Sequence, residues 1–182
     1  MARVPYLTRD DLPEHHKDLL ERDINLNRAL ANCPAGARAF WVVGYWIRRD
    51  MNIDPRLREL VILQIGYLTR SAYEFSHHVK IALESGVSET DIEQLIAHNQ
   101  GAENNLSDCD RLLLVAAREV VEGPGISAQT FSALQAYFDA GQLVALTMTA
   151  SFYLGVVRLL DSLDIDTEED YLPYLEQFPL PH

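Results

Sequence analysis

An all-α bundle is the fold that this 182-residue sequence predicts, and three observations predict it. Apolar residues recur at helical spacing along most of the chain. Capping residues stand ahead of those segments, and Gly or Pro stands behind them. No stretch alternates with the period of two that a half-buried strand requires. Hydrophobic residues make up 48% of the chain, an ordinary globular share that excludes a disordered protein. One domain over 1–182 suits this length. Within it, residues 1–33 read as an N-terminal helical extension and 166–182 as a Pro-containing C-terminal arm.

The elements follow in order. A first amphipathic segment spans Asp10 to Arg22. The stretch "PAGARAFWVVGYWIRRD" (34–50) sets Phe40, Val43 and Ile47 at helical spacing, with Trp41 and Trp46 adding bulk. Asp54-Pro55 then supplies a cap and a proline at the first helical position. The helix it starts is apolar nearly all round (Leu57, Leu60, Val61, Ile62, Leu63, Ile65), which asks for cover on every side, from the bundle or from another subunit. Its successor runs from Ser71 to Ser85 and stops at Gly86. Ser88 and Asp91 have the spacing of a capping box and open a helix to His98. Ser107 caps "DRLLLVAAREVVE", which "GPG" (123–125) ends. Helices from Ser127 to Ala140 and from Gln142 to Leu163 complete the set of about eight. The tail "YLPYLEQFPLPH" reads as extended.

Charge narrows the partners. Lys and Arg total 15 against 27 Asp and Glu, a net −12, which argues against nucleic-acid phosphates and anionic membranes. The first residues lack the apolar run of a secretory signal, and the apolar runs elsewhere break too early to span a bilayer. Cys33 and Cys109 form no CxxC and suggest neither a disulfide framework nor a thiol pair. A cytoplasmic protein acting on a small molecule is the expectation.

The chemistry concentrates in "LRELVILQIGYLTRSAYEFSHHVKIALESGVSETDIEQL" (57–95). Ser71, Glu74 and His78 stand at i, i+3 and i+7 and share one helix face, with Phe75 and Val79 as flanking apolar wall. His77 turns about 100° away from His78. Glu59 faces this line if the two helices pack antiparallel. Two carboxylates, an imidazole and a hydroxyl would then surround one small space, a grouping suited to proton transfer. Spacing alone leaves a structural alternative open. Glu59 sits in a first turn where the helix dipole favours acids, near Arg56 and Arg58, and Glu74–His78 has the spacing of a surface pair. A metal site on Glu74, His77 and His78 is disfavoured, because adjacent histidines on a helix cannot both face one ion and no HExxH or Cys/His cluster occurs.

These residues also carry a resemblance. Arg58-Glu59-Leu60, then His78-Val79, then Gly86-Val87-Ser88 with Asp91-Ile92 resemble the pattern of the carboxymuconolactone decarboxylase family, which includes the AhpD-like alkylhydroperoxidases. The resemblance implies an AhpD-like all-α fold, a homo-oligomer (trimer or hexamer, with a dimer also open) and no cofactor. The peroxidase branch carries C-x-x-C-x-x-x-H, whose thiol positions fall here on Ser71 and Glu74. Thiol peroxidase chemistry at this site is thereby disfavoured. The Y-E-[WF]-x-x-H subtype, with Glu74 and His78 four apart, implies acid–base chemistry: decarboxylation or isomerisation of a small carboxylic acid or lactone. His78, Glu74 and Glu59 are then the expected catalytic residues, and Ser71, Arg58, Arg70, Phe75 and His77 the expected substrate-binding ones. A non-catalytic ligand-binding protein of the same fold is the competing expectation.

Overall fold

The protein is described here by a computed structural model covering residues 2–181. Nine α-helices are present among them: α1 (Asn25–Leu30), α2 (Pro34–Arg49), α3 (Pro55–Leu68), α4 (Ala72–Glu84), α5 (Glu89–Asn99), α6 (Asp108–Glu122), α7 (Ala128–Leu134), α8 (Ala140–Leu163) and α9 (Leu172–Gln177). No strand occurs among the described residues. The start signals act as their chemistry dictates. Asp54 accepts from the Arg56 amide, Ser71 caps α4, and Ser88 and Asp91 satisfy each other's backbone in a complete capping box.

Three segments differ from the sequence reading. Residues 10–22 wind as 3-10 turns at Arg9–Asp11 and Glu14–Leu20, with Pro13 between them, and no α-helix forms there. The segment from Ser127 stops at Leu134, and Asp139 caps α8 two residues earlier than expected. The tail is wound rather than extended. A 3-10 turn at Glu169–Tyr171 leads into α9, where Pro173 lies in the first turn and its missing N–H costs nothing. Tyr174, Leu175 and Phe178 then share a helical face that packs into the core.

α3 is the hub, packed against α4, α5, α6 and α8. Its opposite faces serve two cores. Val61, Ile62 and Ile65 join α2, α6 and α8 in one, while Leu60, Leu63 and Tyr67 join α4, α5 and Phe178 in the other. All-round apolarity is therefore satisfied within the chain. Arg56 reaches from the start of α3 to Asp91 and Asp110, tying α5 and α6 to it. α8 corrects one expectation: its 24 residues are long and apolar enough to cross a membrane, with half of the apolar window buried inside the protein. Here it is a core helix.

α3 and α4 cross closely because of Gly66. A Cβ there would lie 3.1 Å from the Phe75 backbone, so only glycine lets the helices approach this far. That approach positions the site.

Candidate active site

Glu59 lies in the first turns of α3 and is 0% exposed. A buried carboxylate needs partners, and it has two. Arg58 Nε donates to its Oε1 at 2.8 Å, and His78 Nδ1 lies 2.7 Å from its Oε2. Burial alone would raise the Glu59 pKa, but His78 and Arg58 outweigh it and hold the carboxyl below its ordinary value. Arg58 is itself nearly buried and also donates to the Arg48 carbonyl, which ties α3 to the end of α2.

With Nδ1 turned to Glu59, His78 presents Nε2 to Glu74. Glu74 Oε1 is 3.1 Å away, but off the line a hydrogen bond needs, so this buried oxygen has no hydrogen-bond partner among the described residues. We take the contact as a close, unlocked approach. Burial raises the Glu74 pKa and outweighs the lowering effect of His78; the neighbouring Glu59 charge raises it further, and Arg22 and Arg48 act to lower it. Tyr153 of α8 meets the His78 ring edge-on, with centroids 4.9 Å apart. Burial and the two carboxylates push its phenol well above the ordinary range.

A cavity of about 420 Å³ opens onto Glu74 and His78. Its walls are aromatic, with Phe40, Trp41 and Tyr45 from α2, Tyr73 from α4, and Phe152 and Tyr153 from α8. The N-terminal segment and α1 add Asp18, Arg22, Leu26 and Asn27 to its lining. No cysteine lines it; Cys33 is exposed at the α2 cap and Cys109 is half-buried on α6.

The structure brings together Arg58, Glu59, Glu74 and His78. Of the remaining residues singled out from the sequence, His77 reaches the cavity, and Ser71, Phe75 and Arg70 do not line it. Ser71 is the α4 cap, accepting from the Glu74 amide at 3.4 Å. Phe75 is fully buried beneath the site in the second core. Arg70 is exposed at the α3–α4 corner with a left-handed φ of 57°. His77 lines the cavity, sandwiched between Tyr73 and Tyr171 with centroids at 4.1 and 3.5 Å. Its Nε2 lies 2.7 Å from Glu168 Oε2. Burial keeps the His77 pKa low despite that carboxylate. Glu168 also accepts from the Asn25 amide and from the Tyr73 hydroxyl, so the C-terminal arm is fastened to the cavity's edge.

Sequence reasoning missed Tyr153, Arg22, Arg48 and Glu168. In the sequence, Tyr153 is simply the neighbour of Phe152 in an apolar helix, and nothing local ties it to His78. The other three are brought in by tertiary packing, and no local spacing links them to His78.

Comparison with known proteins agrees with this architecture. Residues 34–104 match the model of the carboxymuconolactone decarboxylase family. No curated protein matches the chain in sequence. An uncharacterized peroxidase-related protein with an alkylhydroperoxidase AhpD core, from Ralstonia eutropha JMP134, is 16% identical with a TM-score of 0.80, over 99% of this chain and 98% of that one. A protein of unknown function from Agrobacterium tumefaciens, linked by its description to the antioxidant defence protein AhpD, is 18% identical with a TM-score of 0.67, over 76% of this chain and 94% of that one. The debrominase Bmp8, as a cysteine-to-alanine variant holding 2,3,4-tribromopyrrole, is 16% identical with a TM-score of 0.78, over 98% of both chains. At these identities the likeness is one of fold. Residues 34–104, which carry Arg58, Glu59, Glu74 and His78, thus match the carboxymuconolactone decarboxylase family model, within a chain that has the all-α fold of an alkylhydroperoxidase AhpD core.

Proposed function

We propose that this protein carries out cofactor-free acid–base chemistry, decarboxylation or isomerisation, on a small carboxylic acid or lactone. The observation that carries the reading is the relay Arg58–Glu59–His78, ending at an unpartnered Glu74 oxygen on the floor of an aromatic cavity. Each part has a role that follows from its surroundings. Glu59, ionised and fixed by Arg58, orients the His78 ring through Nδ1. His78 moves the proton through Nε2. Glu74, whose environment favours the neutral acid, is the proton donor.

The cavity suits a flat ring. A debrominase of like fold holds a small planar heterocycle, 2,3,4-tribromopyrrole, and about 420 Å³ admits a ligand of that kind. Reductive thiol chemistry of the peroxidase type has no support here, because the positions facing the ring carry Glu74 and His78 and no cysteine.

A second reading has its own observation. Both Glu59 oxygens are occupied within the protein, as they would be in a purely structural network holding a ligand-binding cavity. Proton exchange separates the two. Unsaturated lactones and cyclic keto acids, incubated with the protein in D2O, should lose proton signal at the activated carbon or release CO2. His78→Ala should lower that rate by about 10²- to 10⁴-fold, with the helical signal unchanged. Equal rates in wild type and variant would remove the catalytic assignment.

A further inference from the structure

A chain of net charge −12 gathers five basic side chains around one opening. Arg22, Arg48, Arg49, Arg58 and Lys80 line a second cavity, facing one acid, Glu84. It adjoins the aromatic cavity, and Arg22, Arg48 and Ile81 belong to the walls of both. Arg58 is neutralised by Glu59. Arg22, Arg48, Arg49 and Lys80 take part in no ion pair among the described residues, although Lys80 sits over the Tyr171 ring at 5.7 Å.

Four unpaired cations around one recess repel one another. In a merely solvated surface of an acidic protein, nearby carboxylates would be expected among them. The two at the seam also reach the reaction centre electrostatically: both Arg22 and Arg48 act to lower the Glu74 pKa. Of the helix ends at this recess, two are C-termini and the third is Tyr171, the N-cap of the six-residue α9. Arg48 and Arg49 end α2, and Glu84 and Ser85 end α4. Recognition would therefore rest on side-chain guanidinium and ammonium groups, which bind oxyanions by charge-assisted hydrogen bonds.

The geometry points to a two-part binding site, in which the aromatic cavity takes a ring and the basic vestibule takes an oxyanion, a carboxylate or phosphate, carried on that ring away from the reacting end. Arg22 and Arg48 hold the charge nearest the ring, and Arg49 and Lys80 hold a second negative charge further out. This deepens the proposed acid–base function by assigning a substrate class, ring compounds with two negative charges. It also identifies the local cations that an anionic substrate needs to approach so acidic a protein. Neither Arg58, paired with Glu59, nor Arg70, exposed at the far corner, can fill that role.

Calorimetric binding tests this independently of turnover, so a catalytically silent protein would still answer it. The probes are benzyl alcohol, benzoate, benzene-1,3-dicarboxylate and phenyl phosphate. Benzoate should bind more tightly than the alcohol, and at least one dianion should exceed benzoate by about tenfold, the worth of one charge-assisted contact. The double variant Arg49→Gln/Lys80→Gln should erase the dianion's advantage and leave benzoate binding as in wild type. Arg48→Gln should weaken benzoate and dianion alike. A tighter dicarboxylate assigns the vestibule to a second carboxylate, and a tighter phenyl phosphate to a phosphate ester. If neither dianion binds better than benzoate, or if the double variant keeps the advantage, the vestibule is not an anion subsite. Intact binding with no proton exchange would instead remove only the catalytic reading.

Discussion

Glu59 and Glu74 are chemically identical carboxyls driven in opposite directions by what surrounds them. Glu59 has its folded pKa depressed. Its stabilising contribution is therefore present above the ordinary carboxyl range near about 4.3 and is lost as pH falls through the lower folded value. Glu74 has its folded pKa raised. Its contribution is full below the ordinary range and is lost as pH rises through the higher folded value. Glu74→Gln, a neutral isostere, should thus gain in melting temperature over wild type as pH rises from about 4 to about 8. A constant difference across that range would contradict a raised pKa. Glu59→Gln should behave oppositely and cost about 3 kcal/mol near neutrality, because it leaves the buried Arg58 without its carboxylate. These residues were legible in the sequence because the i, i+3, i+7 row on α4 and the R-E-L run on α3 are local patterns. What each carboxyl does was not legible, since burial and partner geometry set the direction of a pKa.

At the scale of elements, the α3–α4 crossing turns local patterns into a site. Alanine is the better helix former by about 1 kcal/mol, so propensity alone favours Gly66→Ala. The crossing opposes it, because the new Cβ would meet the Phe75 amide nitrogen and Cα at 3.1 Å. We expect overpacking to win, with a net loss of about 1 to 3 kcal/mol by chemical denaturation. A looser crossing should also weaken the 2.7 Å contact between Glu59 and His78 and lower activity more than stability alone explains. An unchanged or raised unfolding midpoint would show that the helices can part without penalty. Most helix starts were readable from Ser or Asp caps, whose chemistry is local. The C-terminal arm was misread because its three prolines suggest an extended chain. The structure uses Pro173 in a first turn and buries Phe178 against α3 and α4, a placement that only the tertiary environment can reveal.

Across the whole molecule, the apolar helix α3 asks for no partner subunit, since α4, α5, α6 and α8 cover it. The large exposed apolar side chains lie elsewhere, among them Val42 and Tyr45 on α2 and Val144 and Met148 on α8. The homo-oligomer that the resemblance implies would have those surfaces available to bury. The fold class was legible because helical period and capping run through the entire chain. The cavity was less so, because its walls come from the N-terminal turns, α2, α4 and α8, and no periodicity reports which distant segments meet. One wall residue gives the cavity an optical reporter. Trp41 faces the interior and donates its indole N–H to Asn27 Oδ1 at 3.2 Å, while Trp46, one of only 2 tryptophans in the chain, packs against the hydrophobic core. A ring entering the cavity should displace water beside Trp41 and shift the protein's fluorescence to shorter wavelength. The shift should vanish in Trp41→Phe, where Trp46 alone emits; a shift that persisted there would place the ligand elsewhere.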